Sequence, residues 1–401
     1  MNGRYRELQD FMQGLRVVNT HCHHQPDVFF EDDFGLNNII EKSYAAWCGY
    51  ELGATDKERE IFIINLKHRS FFFWLERALR ELYGITEELS AETFSLFDEK
   101  IRETYQKDKG RHISLMKEAC GYDKVILDAY WDTGSTCGHP ELFSATFRVD
   151  SYMVAYDRDK TDHDDNNASA AFGIEFENTD AVIAHIEQKL AEGKQKGVVA
   201  IKCATAYDRG VDFEPASKER ASKVFKVSRE NRRKEDEKAY EDYLFHEVCA
   251  LAGGMKLPFQ IHTGLGALGK TNAMQLLPAI QSHPDTKFVL FHGGYPWTDD
   301  VLGLAHLFPN QIYPDLCWLP LISPGKAESF IAEIVDIVQS GALCWGCDSW
   351  TAEESYGALL AARHVLAKTF SAKIEDGIFS VADACDYIKG IMYDNAKALY
   401  F

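Results

Sequence analysis

Short runs of β-branched and apolar residues alternate along this chain with longer amphipathic stretches. The first four runs are Leu15 to Thr20 (LRVVNT), Lys124 to Asp128 (KVILD), Val149 to Tyr156 (VDSYMVAY) and Val198 to Cys203 (VVAIKC). Four more follow: Leu257 to His262 (LPFQIH), Lys287 to His292 (KFVLFH), Gln311 to Cys317 (QIYPDLC) and Leu343 to Asp348 (LCWGCD). Between them, segments such as Asp180 to Glu192 and Ala327 to Gln339 set apolar residues three and four apart, the period of a helix with one buried face. Strand and helix alternating in this way predict an α/β fold, a parallel sheet closed as a (β/α)₈ TIM barrel.

Two long tracts interrupt the alternation. Residues 30–115 form an aromatic-rich helical insertion after the first strand, in which Phe72, Leu75, Leu79 and Leu82 share a face and Gly84 offers a C-terminal stop. The expected organisation is a barrel from residues 1–29 and 116–401, with 30–115 as a helical cap. Residues 213–240 carry mixed charges and read as a solvated loop and helix. Residues 157–172 (DRDKTDHDDNNASAAF) read as a mobile polar loop whose acidic spacing fits no EF-hand.

Composition narrows the class. With 401 residues, 46% hydrophobic and 26% charged, the chain has the means to bury a large core. Its 43 Lys and Arg against 62 Asp and Glu give a net charge of −19, which argues against a counterion-release grip on nucleic acid or attachment to anionic lipid. The start, MNGRYRELQDFMQG, has no apolar signal region, and no stretch approaches ~18 uninterrupted apolar residues. A cytoplasmic protein is expected, with a small-molecule substrate as its partner; the aromatic-rich cap offers a surface for homo-oligomer formation. Ten cysteines are too sparse for a disulfide scaffold, and Cys344-Trp345-Gly346-Cys347, without a second CxxC, reads as buried strand thiols.

Chemistry concentrates at the strand ends. His21, Lys202, His262, His292 and Asp348 each close an apolar run with a group able to ligate metal or move protons. In a parallel barrel these positions face one another at the C-terminal mouth. Within Asn19-Thr20-His21-Cys22-His23-His24, residues i and i+2 point to one side, so His21 and His23 can present two imidazoles to one cation while Cys22 and His24 face away. His262 and His292 each precede a glycine within two residues, which allows close backbone approach at a pocket rim. A carboxylate at Asp348 is costly to bury without a cation or donors.

HxH on a first strand, lysine ending a fourth, histidines ending a fifth and sixth, and aspartate ending an eighth form a pattern that resembles the amidohydrolase superfamily. The stretches AIKCATAYDRG, KLPFQIHTGLG, TKFVLFHGGYPWTDD, NQIYPDLCWLPLIS and CDSW are most similar to the amidohydrolase-like domain of FluG-type proteins. The insertion, with RSFFFWLERALRELYGI, is faintly similar to the region after the first-strand motif of uronate isomerases. Asn19 stands where the superfamily pattern has aspartate, and Arg209, in Tyr207-Asp208-Arg209, comes one place later than the family's arginine.

The resemblance implies metal-assisted hydrolysis of an amide-like C–N bond in a small carboxylated substrate. One or two divalent cations, Zn²⁺ first by ligand type, are expected on His21, His23, Lys202, His262, His292 and Asp348. Asp348 is expected to act as general base and then acid, and His292 to polarise the carbonyl or take a second metal. Lys202 either ligates in neutral or carbamylated form or holds a substrate carboxylate as an ammonium. Candidate pocket walls are Trp131, Tyr207, Arg209, Trp297, Trp318 and Trp350. A mononuclear uronate isomerase or nonoxidative decarboxylase on the same scaffold is the rival.

Overall fold

In the computed structural model, which describes residues 3–401, the apolar runs become a parallel sheet in sequence order. Its strands are β1 (Val17–Cys22), β2 (Tyr122–Leu127), β3 (Phe143–Arg148), β4 (Val198–Cys203), β5 (Phe259–Ile261), β6 (Phe288–Leu290) and β7 (Ile312–Pro314). Each pairs with the next, as a barrel demands. The eighth run, Leu343 to Asp348, joins without forming a regular strand. Asp315 and Cys344 make a parallel bridge, the Leu316 N–H donates to the Cys344 carbonyl at 2.9 Å, and the Thr20 and Asp348 N–H groups bond Trp345 and His21 carbonyls at 3.1 and 2.9 Å. The segment thus links β7 to β1 and closes the ring. Gly346 permits it, because a Cβ there would stand 2.7 Å from Thr20 Oγ1 and 2.8 Å from the His21 nitrogen.

The third strand lies upstream of its expected place. Val149 to Tyr156 instead contains the helical turn Asp150–Met153, and Phe143–Arg148 forms the strand. The polar residues Ser144, Thr146 and Arg148 alternate along it, and Thr146 and Arg148 both reach Asp128 at 3.2 Å. An inward face that is polar at the barrel mouth dilutes the apolar signal of this strand, whereas the apolar run beyond it packs as a turn.

Helices such as Thr179–Gln195, Lys234–Met255, Pro324–Ile337 and Ala352–Glu375 surround the sheet. Among residues 30–115, the helix Asp56–Leu66 begins with a Thr55/Glu58 capping box, and Ser70–Tyr83 ends at Gly84 with φ 63°, the left-handed stop that glycine tolerates. Phe72, Leu75 and Leu79 are buried, and Ser70–Tyr83 packs along Ala352–Glu375. Cap and barrel side chains belong to one continuous apolar core. In the loop at 157–172 the Asn167 amide donates to the Val154, Asp157 and Lys160 carbonyls, and the loop ends in the short helix Ala168–Phe172. Within residues 213–240 the charged side chains are mostly exposed, while Phe213, Ala221, Val224 and Tyr240 are buried. Among the described residues, no helix is long and apolar enough to cross a membrane.

Candidate active site

β1 delivers His21 and His23 to the carboxyl end of the barrel. Their Nε2 atoms lie 3.2 and 3.3 Å from the same oxygen, Asp348 Oδ1. His23 Nδ1 stands 2.8 Å from the Asp128 carbonyl, which can only accept, so the ring proton sits on Nδ1 and the Nε2 lone pair faces Asp348. The other oxygen, Asp348 Oδ2, accepts from the Tyr44 hydroxyl at 2.7 Å. Burial opposes ionisation of Asp348, yet the closeness of His21 and His23 holds its carboxyl well below the usual range. Burial, then the neighbouring Lys202 charge, push His21 down to about 3. Donors about 2.0–2.1 Å from a tetrahedral cation stand roughly 3.3 Å apart, the spacing that each histidine keeps to Asp348. Among residues that ligate in this way, a divalent metal fits.

A second donor pair lies alongside. His262 Nε2 is 2.5 Å from the Leu265 carbonyl and His292 Nδ1 is 3.0 Å from the Cys317 carbonyl, so both of those nitrogens carry the protons. The remaining atoms, His262 Nδ1 and His292 Nε2, face each other at 3.0 Å with a lone pair on each. Either a ring gains a second proton or a cation is shared. Burial pushes His292 down to about 4 and, with His292 beside it, His262 well below its ordinary value, which disfavours the proton near neutrality. His292 and Asp348 both adopt positive φ, 64° and 57°, the backbone strain often held at functional sites. Lys202 Nζ reaches this cluster, 3.5 Å from His21 Nε2 and 4.1 Å above the Phe291 ring. Burial lowers its pKa while Asp128 and Asp348 oppose the shift.

Several site residues escape the sequence reading. Asp128, at the end of β2, offers an oxygen that groups with His21 and His23 donors within 4.8 Å. Burial alone would favour its neutral form, but Arg148 at 3.2 Å and His23 keep it a carboxylate. Arg148, ending β3, also pairs with Asp150 at 2.9 Å and Asp164 at 2.7 Å. His163 and Asp164 come from the polar loop, and Tyr44, Trp47 and Arg69 from the cap. Asp128 closes an apolar run as Asp348 does, and that signal was available; nothing in the sequence marks the others. Cys317 also approaches His21 and Asp348, but burial raises its thiol well above its usual value, making a poor ligand near neutrality.

The mouth holds two cavities. An inner one of about 340 Å³ is lined by His21, His23, Arg148, His163, Lys202 and Trp350, and an outer one of about 660 Å³ by Trp47, Arg69, Phe71, His292, Trp318 and Ile322. Tyr44, Trp47, Tyr207, His262 and Asp348 line both, and so form the waist. Of the expected walls, Tyr207, Trp318 and Trp350 are in place, and Trp350 stacks on His23 with centroids 5.4 Å apart. Trp131 instead lines a neighbouring cavity of about 240 Å³. Trp297 lines neither chamber of the mouth; it sits at the start of the helix Thr298–Leu307. Arg209 also lies outside: Asp242, Asp212 and Glu241 surround its guanidinium at 2.8, 3.2 and 3.3 Å and tie its loop to the helix Lys234–Met255. Its charge is already neutralised.

The parallel barrel thus gathers histidine, aspartate and lysine side chains at its carboxyl mouth. The amidohydrolase family profile matches residues 160–401, and the chain belongs to that family. Protein fluG of Emericella nidulans is 30% identical over 222 residues, 51% of this chain and 25% of that protein, so the chain spans about a quarter of that relative's length. The fold matches the crystal structure of uronate isomerase from Thermotoga maritima with a TM-score of 0.78 at 18% identity, covering 100% of this chain and 98% of that one. It also matches a Lactobacillus casei protein provisionally described as a metal-dependent hydrolase, with a TM-score of 0.72 at 18% identity over 98% and 97% of the two chains.

Proposed function

We propose that this enzyme hydrolyses an amide-like C–N bond in a small carboxylated substrate, using divalent metal held at the waist. The observation that carries the reading is the pairing of two donor groups: His21 and His23 aimed at Asp348, and the facing lone pairs of His262 and His292, with Lys202 between the strands that bear them. A divalent cation, zinc first on ligand chemistry, would be held by His21, His23 and Asp348, with His262, His292 and a neutral or carbamylated Lys202 available to a second. When bound, such a cation supplies Lewis acidity and makes water a nucleophile near neutral pH. Asp348, kept ionised, takes a proton from the attacking water and passes it to the leaving nitrogen. Tyr44 fixes the carboxylate by holding Oδ2. Tyr207 and His262 shape the waist at which the carbonyl must lie.

Metal-loaded protein is expected to cleave carboxylated amides, and Asp348→Asn to lower turnover by about 10³-fold while the fold, read by circular dichroism, stays intact. Equal turnover in the variant rules out this role for Asp348. A second reading, uronate isomerisation, draws on the full-length match to a uronate isomerase, cap included. It predicts one metal per chain, an unmodified Lys202 and interconversion of uronates with no amide cleaved; metal analysis and the intact mass at Lys202 separate the two.

A further inference from the structure

The two chambers differ in chemistry as well as size. In the inner one, Arg148 is neutralised by Asp128, Asp150 and Asp164. The outer one is walled by Trp47, Phe71, Trp318 and Ile322, and its guanidinium, Arg69, has no carboxylate within ion-pair distance among the described residues. Arg69 immediately precedes the helix Ser70–Tyr83, so the cap presents this charge at the rim. Asp348, the acid lining the outer chamber, already has its oxygens engaged by His21, His23 and Tyr44. An apolar wall beside an unneutralised cation complements a ligand that is bulky and apolar with a carboxylate on the same half. A zwitterionic head group would bring an ammonium, and among the described residues lining this chamber the only carboxylate is the engaged Asp348.

From this, and resting on the amide-hydrolysis reading above, we infer that the substrate is an N-acyl amino acid with an aromatic or large apolar side chain, its carboxylate on Arg69 and its side chain on the outer wall. The amide then lies at the waist and the acyl half in the inner chamber. Water oxygen bonds to the amide carbon and the C–N bond breaks. One water proton goes by way of Asp348 to the leaving nitrogen, releasing an acid and an amino acid with no further reactant.

Two measurements test it on the metal-loaded protein. N-acetylphenylalanine should be cleaved with a kcat/KM at least about ten-fold above that of N-acetylphenylalaninamide, and Arg69→Ala should remove this preference through KM, with Arg69→Lys restoring part of it. Independently of turnover, quenching of tryptophan emission by 3-phenylpropionate should report binding tighter than that of 3-phenylpropionamide, a difference lost in Arg69→Ala. Equal binding of acid and amide, or an unchanged preference in Arg69→Ala, overturns the assignment. Arg69-dependent binding without amide cleavage keeps the assignment of the chamber and removes the hydrolase reading instead.

Discussion

His163 belongs to a loop whose sequence announces only polarity, yet its ring sits between Asp208 at 2.8 Å and Asp164 at 3.1 Å. Burial alone would depress its pKa, but hydrogen bonds to the two carboxylates push it up to about 10. Arg148, 2.8 Å from Nε2, opposes the proton and is outweighed because its own charge is shared among three aspartates. An unfolded histidine titrates near 6.5, so between about pH 6.5 and 10 the folded state binds the extra proton. The stability His163 contributes is therefore complete below pH 6.5 and is lost as pH rises through 10. Urea titrations of wild type and His163→Gln should converge by roughly 2 kcal/mol between pH 6 and pH 10, a value reduced for a partly exposed pair. Parallel profiles would show that His163 is neutral in the fold. At this scale the histidines, Lys202 and Asp348 that meet at the mouth were legible because each lies at the end of an apolar run. Arg209 was misplaced and Arg148 unnoticed for one reason: which acids surround a guanidinium depends on elements distant in sequence, here the helix Lys234–Met255 for one and β2 for the other.

Elements built from uninterrupted apolar runs were readable, and those facing the polar mouth were not. β4 spans the residues expected of it, while β3 hides its strand period behind Ser144, Thr146 and Arg148, the last two of which bond Asp128. The eighth run supplies barrel closure through a few backbone bonds and a glycine rather than a ladder. The cap helix was readable from its face and its Gly84 stop, but its partner was not. That partner is Ala352–Glu375, where a Cβ on Gly357 would stand 2.9 Å from the Trp74 carbonyl oxygen and 3.1 Å from its carbon. Both are backbone atoms and cannot rotate away, so Gly357→Val forces the two helices apart. A loss of about 2 kcal/mol in urea unfolding is expected, the usual range for overpacking. Because Arg69 and Phe71 begin the displaced helix, KM should rise more than kcat falls. A variant of unchanged stability would mean that the helices are not held this closely.

Taken whole, the cap and the barrel that the sequence suggests share one apolar core. A unit with its own core can unfold alone, whereas one that shares a core exposes its partner's apolar surface on leaving and is coupled to it. Here Phe62, Phe72, Leu79 and Phe97 of the cap and Leu359, Leu366 and Phe370 of the barrel helix Ala352–Glu375 belong to the same buried cluster. Polar links cross as well: Tyr83 and Tyr105 both donate to the buried Glu353, at 2.7 and 2.9 Å, and Glu354 accepts from the Tyr44 N–H at 2.9 Å. Removing the cap would strand these carboxylates without their donors, a cost of order 1–3 kcal/mol each beyond the lost packing. Cap and barrel should therefore melt together. Tryptophans report from both, Trp47 and Trp74 in the cap and Trp318, Trp345 and Trp350 in the barrel, so emission and far-ultraviolet circular dichroism should trace one coincident urea transition, with the calorimetric enthalpy equal to the van't Hoff value. Two separated transitions, with the signal of Trp47 and Trp74 lost first, would restore an independent cap. In that case Tyr44 and Arg69 could leave the site without unfolding it, and activity should fall at the first transition rather than with the barrel.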